Sequence, residues 1–421
     1  MRAPDTRTAA PFPYLALLTI ALAVFLSVTI EMLPTGLLSY MSAELGVPES
    51  LIGLTVSVFA FTVVLTSAPL AHLTRHFDRH SLVVTVLLIL VVSTVVTAIA
   101  PNYGVLVASR ILGGLAHGVF WAVVGAYSAY LVPKEQIGRA VALSLGGGSL
   151  AFVFGVPLGT ALGQAFGWRA SFGVLAALTL VGTFFVWKFL PRVKAGAATP
   201  TNSIPTISTG TGNISVLIDA SAAPRRDQSL LAVVFVCVIT AVTMTGQYTF
   251  YTYIEPFLTR QVGLDDIAVS PALFGYGSAG VLALVIVAVW AGKRPRTGLM
   301  VSLLAMLLAV IVLASWPSAI PLALAAFLIW GLAMGMIPPL LQTRLLHAAP
   351  ARIRDTSSAF YTTAFNIGIG GGALVGALAF EQFGLGSLPQ IYSGILLLTI
   401  ALVLASDLIL RRKTARRVIE H

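Results

Sequence analysis

Long apolar runs, separated by short polar breaks, make up most of the chain. The first, residues 13–40, carries Leu15, Leu17, Leu18, Ile20, Leu22, Val24, Phe25, Leu26, Val28 and Ile30. At about 1.5 Å of rise per residue, such a run crosses a hydrocarbon core of roughly 30 Å as a helix. The pattern predicts twelve spans: 13–40, 51–73, 82–100, 105–131, 140–166, 170–190, 230–258, 272–291, 298–316, 320–341, 358–380 and 388–410. The runs are continuous and do not alternate, so strands are not expected. The pattern therefore predicts an all-α membrane protein.

The longest polar break, 191–228, is rich in Gly, Ala, Ser, Thr and Pro and reads as a flexible linker. It divides the spans six and six, giving a first half at 1–190 and a second at 229–421. The halves echo each other. The fifth span holds Gly146, Gly147, Gly148, Gly155, Gly159 and Gly163; the eleventh holds Gly368, Gly370, Gly371, Gly372 and Gly376. Twelve transmembrane helices in two six-helix halves point to a duplicated transporter, with its solute site between the halves near the midplane.

Composition agrees. Of 421 residues 57% are hydrophobic and 10% charged, against about 25% charged in soluble domains. The net charge of +10 would suggest nucleic acid in a soluble chain. Here it follows from topology. With the N-terminus in the cytoplasm, 22 of the 25 Lys and Arg fall at inner loops and ends, Arg169 and Arg260 lie outside, and Arg110 lies within a span. That bias predicts both termini in the cytoplasm, with anionic membrane lipid and not nucleic acid as the counterpart. The single cysteine, Cys237, excludes an intrachain disulfide. The first apolar run exceeds the roughly 7–15 residues of a signal-peptide core, so a cleaved leader is a poor fit.

A few polar residues interrupt the spans. Glu31 falls late in the first. A carboxylate there costs roughly 2.5–3.5 kcal/mol on insertion scales and needs a partner, a proton or water; the bland alternative is an acid that snorkels to the headgroups. Arg110, early in the fourth span, reaches a similar depth. The pair reads as a proton switch in which Arg110 tunes Glu31, or as a static pair that orients two helices. His117 and Trp121 follow seven and eleven positions later, on roughly the same face. His117 is a functional candidate near mid-membrane, or a neutral imidazole bonded to a neighbouring helix. Trp121 stacks on a ligand or simply packs.

In the seventh span Gln247, Tyr248 and Tyr251 form a mixed amide and phenol surface suited to a sugar or a small amphipathic molecule. Tyr253 and Phe257 also fit an outer aromatic belt, and Glu255, near the outer end, suits gating. Asn366 lines the same cavity or bonds across helices. Gly155, Pro157, Gly159 and Gly163 allow close helix contact around a bend, for packing or for a moving contact. No Walker loop or metal cluster appears, so no cofactor beyond the proton gradient is expected. His72, His76 and His80 read as an exposed inner-surface patch.

Taken together the chain resembles the major facilitator superfamily, within its bacterial drug:proton antiporter group. Arg110 followed four later by Gly114 is similar to the fourth-helix motif. Gly155-Val156-Pro157-Leu158-Gly159 with Gly163 is similar to the fifth-helix antiporter motif. Glu31-Met32-Leu33-Pro34-Thr35-Gly36-Leu37, Ala116-His117-Gly118-Val119-Phe120-Trp121 and Tyr251-Thr252-Tyr253-Ile254-Glu255-Pro256-Phe257 resemble the sugar efflux branch. The loop 70–79 departs from the family pattern, lacking its glycines and first Asp. The resemblance implies the major facilitator fold and no enzymatic activity. It implies proton-coupled efflux of small neutral solutes, sugars first and chloramphenicol-type drugs second. Glu31 and Arg110 would couple protons; His117, Trp121, Gln247, Tyr248, Tyr251 and Asn366 would contact solute; the protein would act as a monomer. An importer or a non-transporting membrane sensor of the same fold remains open.

Overall fold

A computed structural model describes residues 12–133, 136–192, 228–349 and 353–419. Almost all of the expected linker lies outside them. The described residues form twelve helices long and apolar enough to cross a membrane: Tyr14–Gly36, Glu49–Leu73, Arg79–Ala98, Tyr103–Val124, Arg139–Phe166, Trp168–Phe189, Leu230–Tyr251, Asp266–Val289, Pro295–Ser315, Ile320–Ala348, Thr356–Phe383 and Ser387–Ile409. They are called spans one to twelve below. The chain is a multi-pass, all-helical membrane protein.

Local chemistry sets the ends. Asp78 caps span three, its side chain accepting from the Ser81 amide at 2.9 Å, and Asn102 caps span four through the Val105 amide at 3.0 Å. Between spans one and two, the short helix Leu38–Leu45 stops at Gly46, whose φ of 64° is the left-handed conformation glycine accepts without strain. Span five is interrupted by a π-helical turn, Ala151–Gly155, just before Pro157. Proline cannot supply the amide that an uninterrupted helix needs there.

The helices pack in one pattern used twice. In the first half, span one packs on five and six, two on four, and three on four and six. In the second, span seven packs on eleven and twelve, eight on ten, and nine on ten and twelve. Among the described residues the two most extensive contacts between halves, two with eleven and five with eight, are interchanged by the same correspondence. Two six-helix halves thus meet along a pseudo-symmetric seam.

An even number of spans leaves both ends of the chain on one face, the termini face; the opposite side is the far face. Hydrogen bonds joining the halves gather toward the far face. The Ser39 amide donates to Glu255 Oε2 at 2.9 Å and the Tyr40 hydroxyl to Asp266 Oδ2 at 2.6 Å. Gln164 Nε2 donates to the Asp266 carbonyl at 2.6 Å, and Arg260 pairs with Glu49. Deeper in, Ser57 Oγ donates to the Gly370 carbonyl at 2.8 Å and Ser270 Oγ to the Pro157 carbonyl at 2.7 Å. On the seam helices nearer the termini face, Leu65 and Phe360 are 73% and 61% exposed. The halves are closed together at the far face and diverge toward the termini.

Candidate functional site

Span one is the most buried of the twelve, and two of its polar residues share one helical face. Ser27 and Glu31, four apart, both point at span four. Glu31 is 4% exposed. Its Oε2 lies 3.4 Å from His117 Nε2, and its Oε1 has no hydrogen-bond partner among the described residues. Arg110 is 1% exposed. The expected guanidinium–carboxylate pair is replaced by a different contact. Arg110 Nη1 donates to the Ile30 carbonyl at 2.9 Å and Nη2 to the Glu31 carbonyl at 2.7 Å. The guanidinium also stacks 4.3 Å from the centre of the Phe59 ring. The reason is geometric: carbonyls near the Leu33–Gly36 break, where the helix tightens around Pro34, accept a planar fork that also fits carboxylates. Arg110 therefore holds the backbone of the residue that carries the acid, while the carboxylate turns toward the histidine.

His117, on the same face of span four, has three neighbours besides Glu31. Ser27 Oγ lies 2.7 Å from Nδ1, Trp121 Nε1 donates to Nε2 at 2.6 Å, and Phe59 lies edge-on at 5.1 Å between ring centres. An indole N–H only donates, so Nε2 must accept, and the network assigns the ring proton to Nδ1, which donates to Ser27. The sequence signal for Ser27 was its offset of four from Glu31; nothing in the sequence marked Phe59.

In the second half Gln247 is the hub of a closed aromatic box. Its Nε2 donates to the Tyr276 hydroxyl at 2.9 Å. Its Oε1 accepts from Trp330 Nε1 at 2.7 Å and from the Tyr392 hydroxyl at 2.9 Å. Spans seven, eight, ten and twelve are joined through one amide. Phe250 stacks on Trp330 at 4.9 Å, and Tyr251 lies 5.1 Å from Tyr276. Tyr248 is buried and packs edge-on to Tyr251 at 6.4 Å. Tyr276, Trp330 and Tyr392 were not singled out from sequence, because they lie on three other spans. Asn366 bonds within its own helix, Nδ2 donating to the Thr362 carbonyl at 3.0 Å. Glu255 is 2% exposed and takes part in the far-face contacts described above.

The small residues of span five face span one. A methyl group at Gly159 would come 2.6 Å from Leu33 Cδ1, and ones at Gly155 and Gly163 would overlap Thr29 and Leu37. Pro157 offers its carbonyl to Ser270 across the seam. The histidine patch is corrected in one respect. His72 and His76 are exposed, but His80 is 3% exposed, its Nε2 lying 3.2 Å from the Trp187 carbonyl. Its place one residue into the span-three helix turns it toward span six. A groove of about 650 Å³, lined by Gln261, Phe383, Ser387 and Gln390 among others, includes no residue of either cluster.

Comparison with known proteins places this architecture. The model of the Major Facilitator Superfamily matches residues 20–373 and 236–417. A "Probable sugar efflux transporter" of Mannheimia succiniciproducens is 30% identical over 381 residues, 90% of each chain. One of Pasteurella multocida with the same name is 31% identical over 370 residues, 87% of this chain and 86% of that one. Among solved structures, an inward-facing, unoccupied bacterial homologue of the human lysosomal transporter Spinster superposes with a TM-score of 0.70 at 15% identity. It covers 96% of this chain and 97% of its own. The human organic anion transporter MFSD10 gives 0.65 at 16% identity, covering 93% and 100%. At those identities the structures speak to the fold.

Proposed function

The chain belongs to the major facilitator superfamily of transporters, and on that premise we propose that it exports small neutral hydroxylated solutes, sugars or sugar-like compounds, in exchange for protons. It is a transporter of small solutes and not an enzyme. The proposed setting is a bacterial inner membrane, with both termini and the 191–228 linker in the cytoplasm and a single copy as the working unit. The termini face is then the inner face, and the arrangement described above is open inward.

The observation that carries the reading is the Glu31 carboxyl, buried between spans one and four, with one oxygen unpartnered among the described residues and the other facing an imidazole. An acid in that position is costly as a fixed charge and suited to a proton that comes and goes. Arg110 pins its backbone and supplies a compensating charge. The solute class rests on two supports: the names of the relatives, and the uncharged indole, phenol and imidazole groups of Trp121, Tyr248 and His117 near the carboxyl, with the Arg110 guanidinium engaged by the Ile30 and Glu31 carbonyls. Energy comes from the proton gradient.

The test is efflux from preloaded proteoliposomes across a panel of sugars and amphipathic drugs such as chloramphenicol, with and without a pH gradient. Sugar efflux accelerated by the gradient, and lost in Glu31→Gln, is expected. Efflux of drugs alone would move the solute class. A Glu31→Gln protein that still concentrates solute would remove Glu31 as the proton carrier.

A further inference from the structure

We propose that Trp121 couples proton binding to solute binding, by competing with Glu31 for the single lone pair of His117 Nε2. The proposal rests on Glu31 as the proton carrier and adds how that proton is felt by the solute. Neutral imidazole has one acceptor nitrogen. Nδ1 is engaged with Ser27 at 2.7 Å, so the remaining nitrogen, Nε2, has two claimants. Trp121 Nε1 holds it at 2.6 Å. Glu31 Oε2 stands off at 3.4 Å, beyond normal hydrogen-bond reach. An ionised carboxylate has no hydrogen to offer Nε2 and is repelled by its lone pair. A protonated carboxyl has one O–H, and that O–H can take the lone pair only by displacing the indole.

Trp121 is placed to transmit that exchange. It lies four residues after His117, on the interior face of span four, one turn nearer the termini face. Its ring is half-buried, whereas Ile111, on the lipid side of the same helix, is 41% exposed. Phe120 packs edge-on to it at 6.4 Å and His117 lies at 5.9 Å. While Nε2 accepts its N–H, the indole is held in one orientation as an apolar platform for the faces of a hydroxylated ring. When a proton enters from water and binds Glu31 Oε2, the O–H donates to Nε2, the indole N–H is released, and the platform is lost. No proton leaves His117 or Trp121 in this step. Proton and solute thus exclude each other, the sign an exchanger needs. The other titratable groups facing this cluster are Arg110, which stays on the Ile30 and Glu31 carbonyls, and the Tyr248 phenol across the seam.

The experiment follows the Trp121 indole N–H by nitrogen-15 NMR of the full-length protein in nanodiscs. The six tryptophans are labelled, and the signal is assigned by its loss in Trp121→Phe or Trp121→Tyr. Between about pH 9 and about pH 5 the wild-type signal is expected to move from a strongly bonded to a weakly bonded position. In Glu31→Gln the side-chain amide donates to Nε2 permanently, so the signal should sit at the weakly bonded position throughout. With arabinose as probe, wild-type affinity should fall about tenfold over one pH unit of proton competition, and Trp121→Phe should flatten that dependence. A wild-type signal that does not move overturns the proposal, as does one that moves equally in Glu31→Gln, which would assign the titration to His117. If Glu31→Gln is transport-dead while the signal stays still, this inference falls and the proton-carrier reading stands.

Discussion

The contact between spans five and eight gives the sharpest perturbation. A β-carbon at Gly277 would land on the Phe152 carbonyl and lie 2.8 Å from Val153 Cα, inside the π-helical turn. The obstacle is backbone, so no side-chain rotation relieves it, and the halves must separate by a few tenths of an ångström or more. Overpacking of this kind costs about 1–3 kcal/mol. The contact spans the two halves, so the penalty falls on the far-face-closed state and spares a state in which the seam opens there. Gly277→Ala should therefore shift the equilibrium between the two by a factor of about 5 to about 150. Gly280, one turn along the same helix, has only an ordinary 3.5 Å contact with the Gly331 carbonyl, within its own half, so Gly280→Ala is the matched control. Spin labels on Ala43 and Asp265, exposed at the far face on opposite halves, read the separation by pulsed electron resonance. Gly277→Ala is expected to populate a longer distance and slow turnover, with Gly280→Ala like wild type. A well-folded Gly277→Ala protein with the wild-type distance distribution would refute the close approach.

Three further outcomes are expected. Arg110→Lys loses the two-pronged grip on the Ile30 and Glu31 carbonyls and should lower stability by about 1.5–3 kcal/mol, read as a fall in melting temperature in detergent; an unchanged midpoint would mean that a point charge serves as well as the fork. Gly159→Leu must displace Leu33 from the span-one contact and should slow transport while solute still binds, measured as efflux against equilibrium binding. At the termini face, the Ser81 amide and then its hydroxyl hold the Asp78 carboxyl below the ordinary carboxylate range. The folded value being the lower one, the cap is intact above the unfolded value and is lost as pH falls through the folded one. Hydrogen-exchange protection at Ser81 should decline below about pH 4, and Asp78→Ala should remove the decline and cost about 0.5–2 kcal/mol.

The sequence by itself determined the twelve spans, mostly to within a few residues at their ends. A hydrocarbon core demands a fixed length of apolar helix, and that demand is written locally. Helical periodicity likewise put Arg110, His117 and Trp121 on one face and aligned Gly155, Gly159 and Gly163. Periodicity fixes a face of one helix, but not which residue of another helix that face meets. Only the tertiary packing decided that Arg110 grips carbonyls while His117 takes the carboxyl side, that Gln247 is held by Tyr276, Trp330 and Tyr392, and that His80 turns inward. Depth, rotation and crossing of neighbouring helices set those partners through close approach at small residues. The far-face contact of Ser39 with Glu255 joins residues 216 positions apart, and it exists only because the two halves are brought edge to edge.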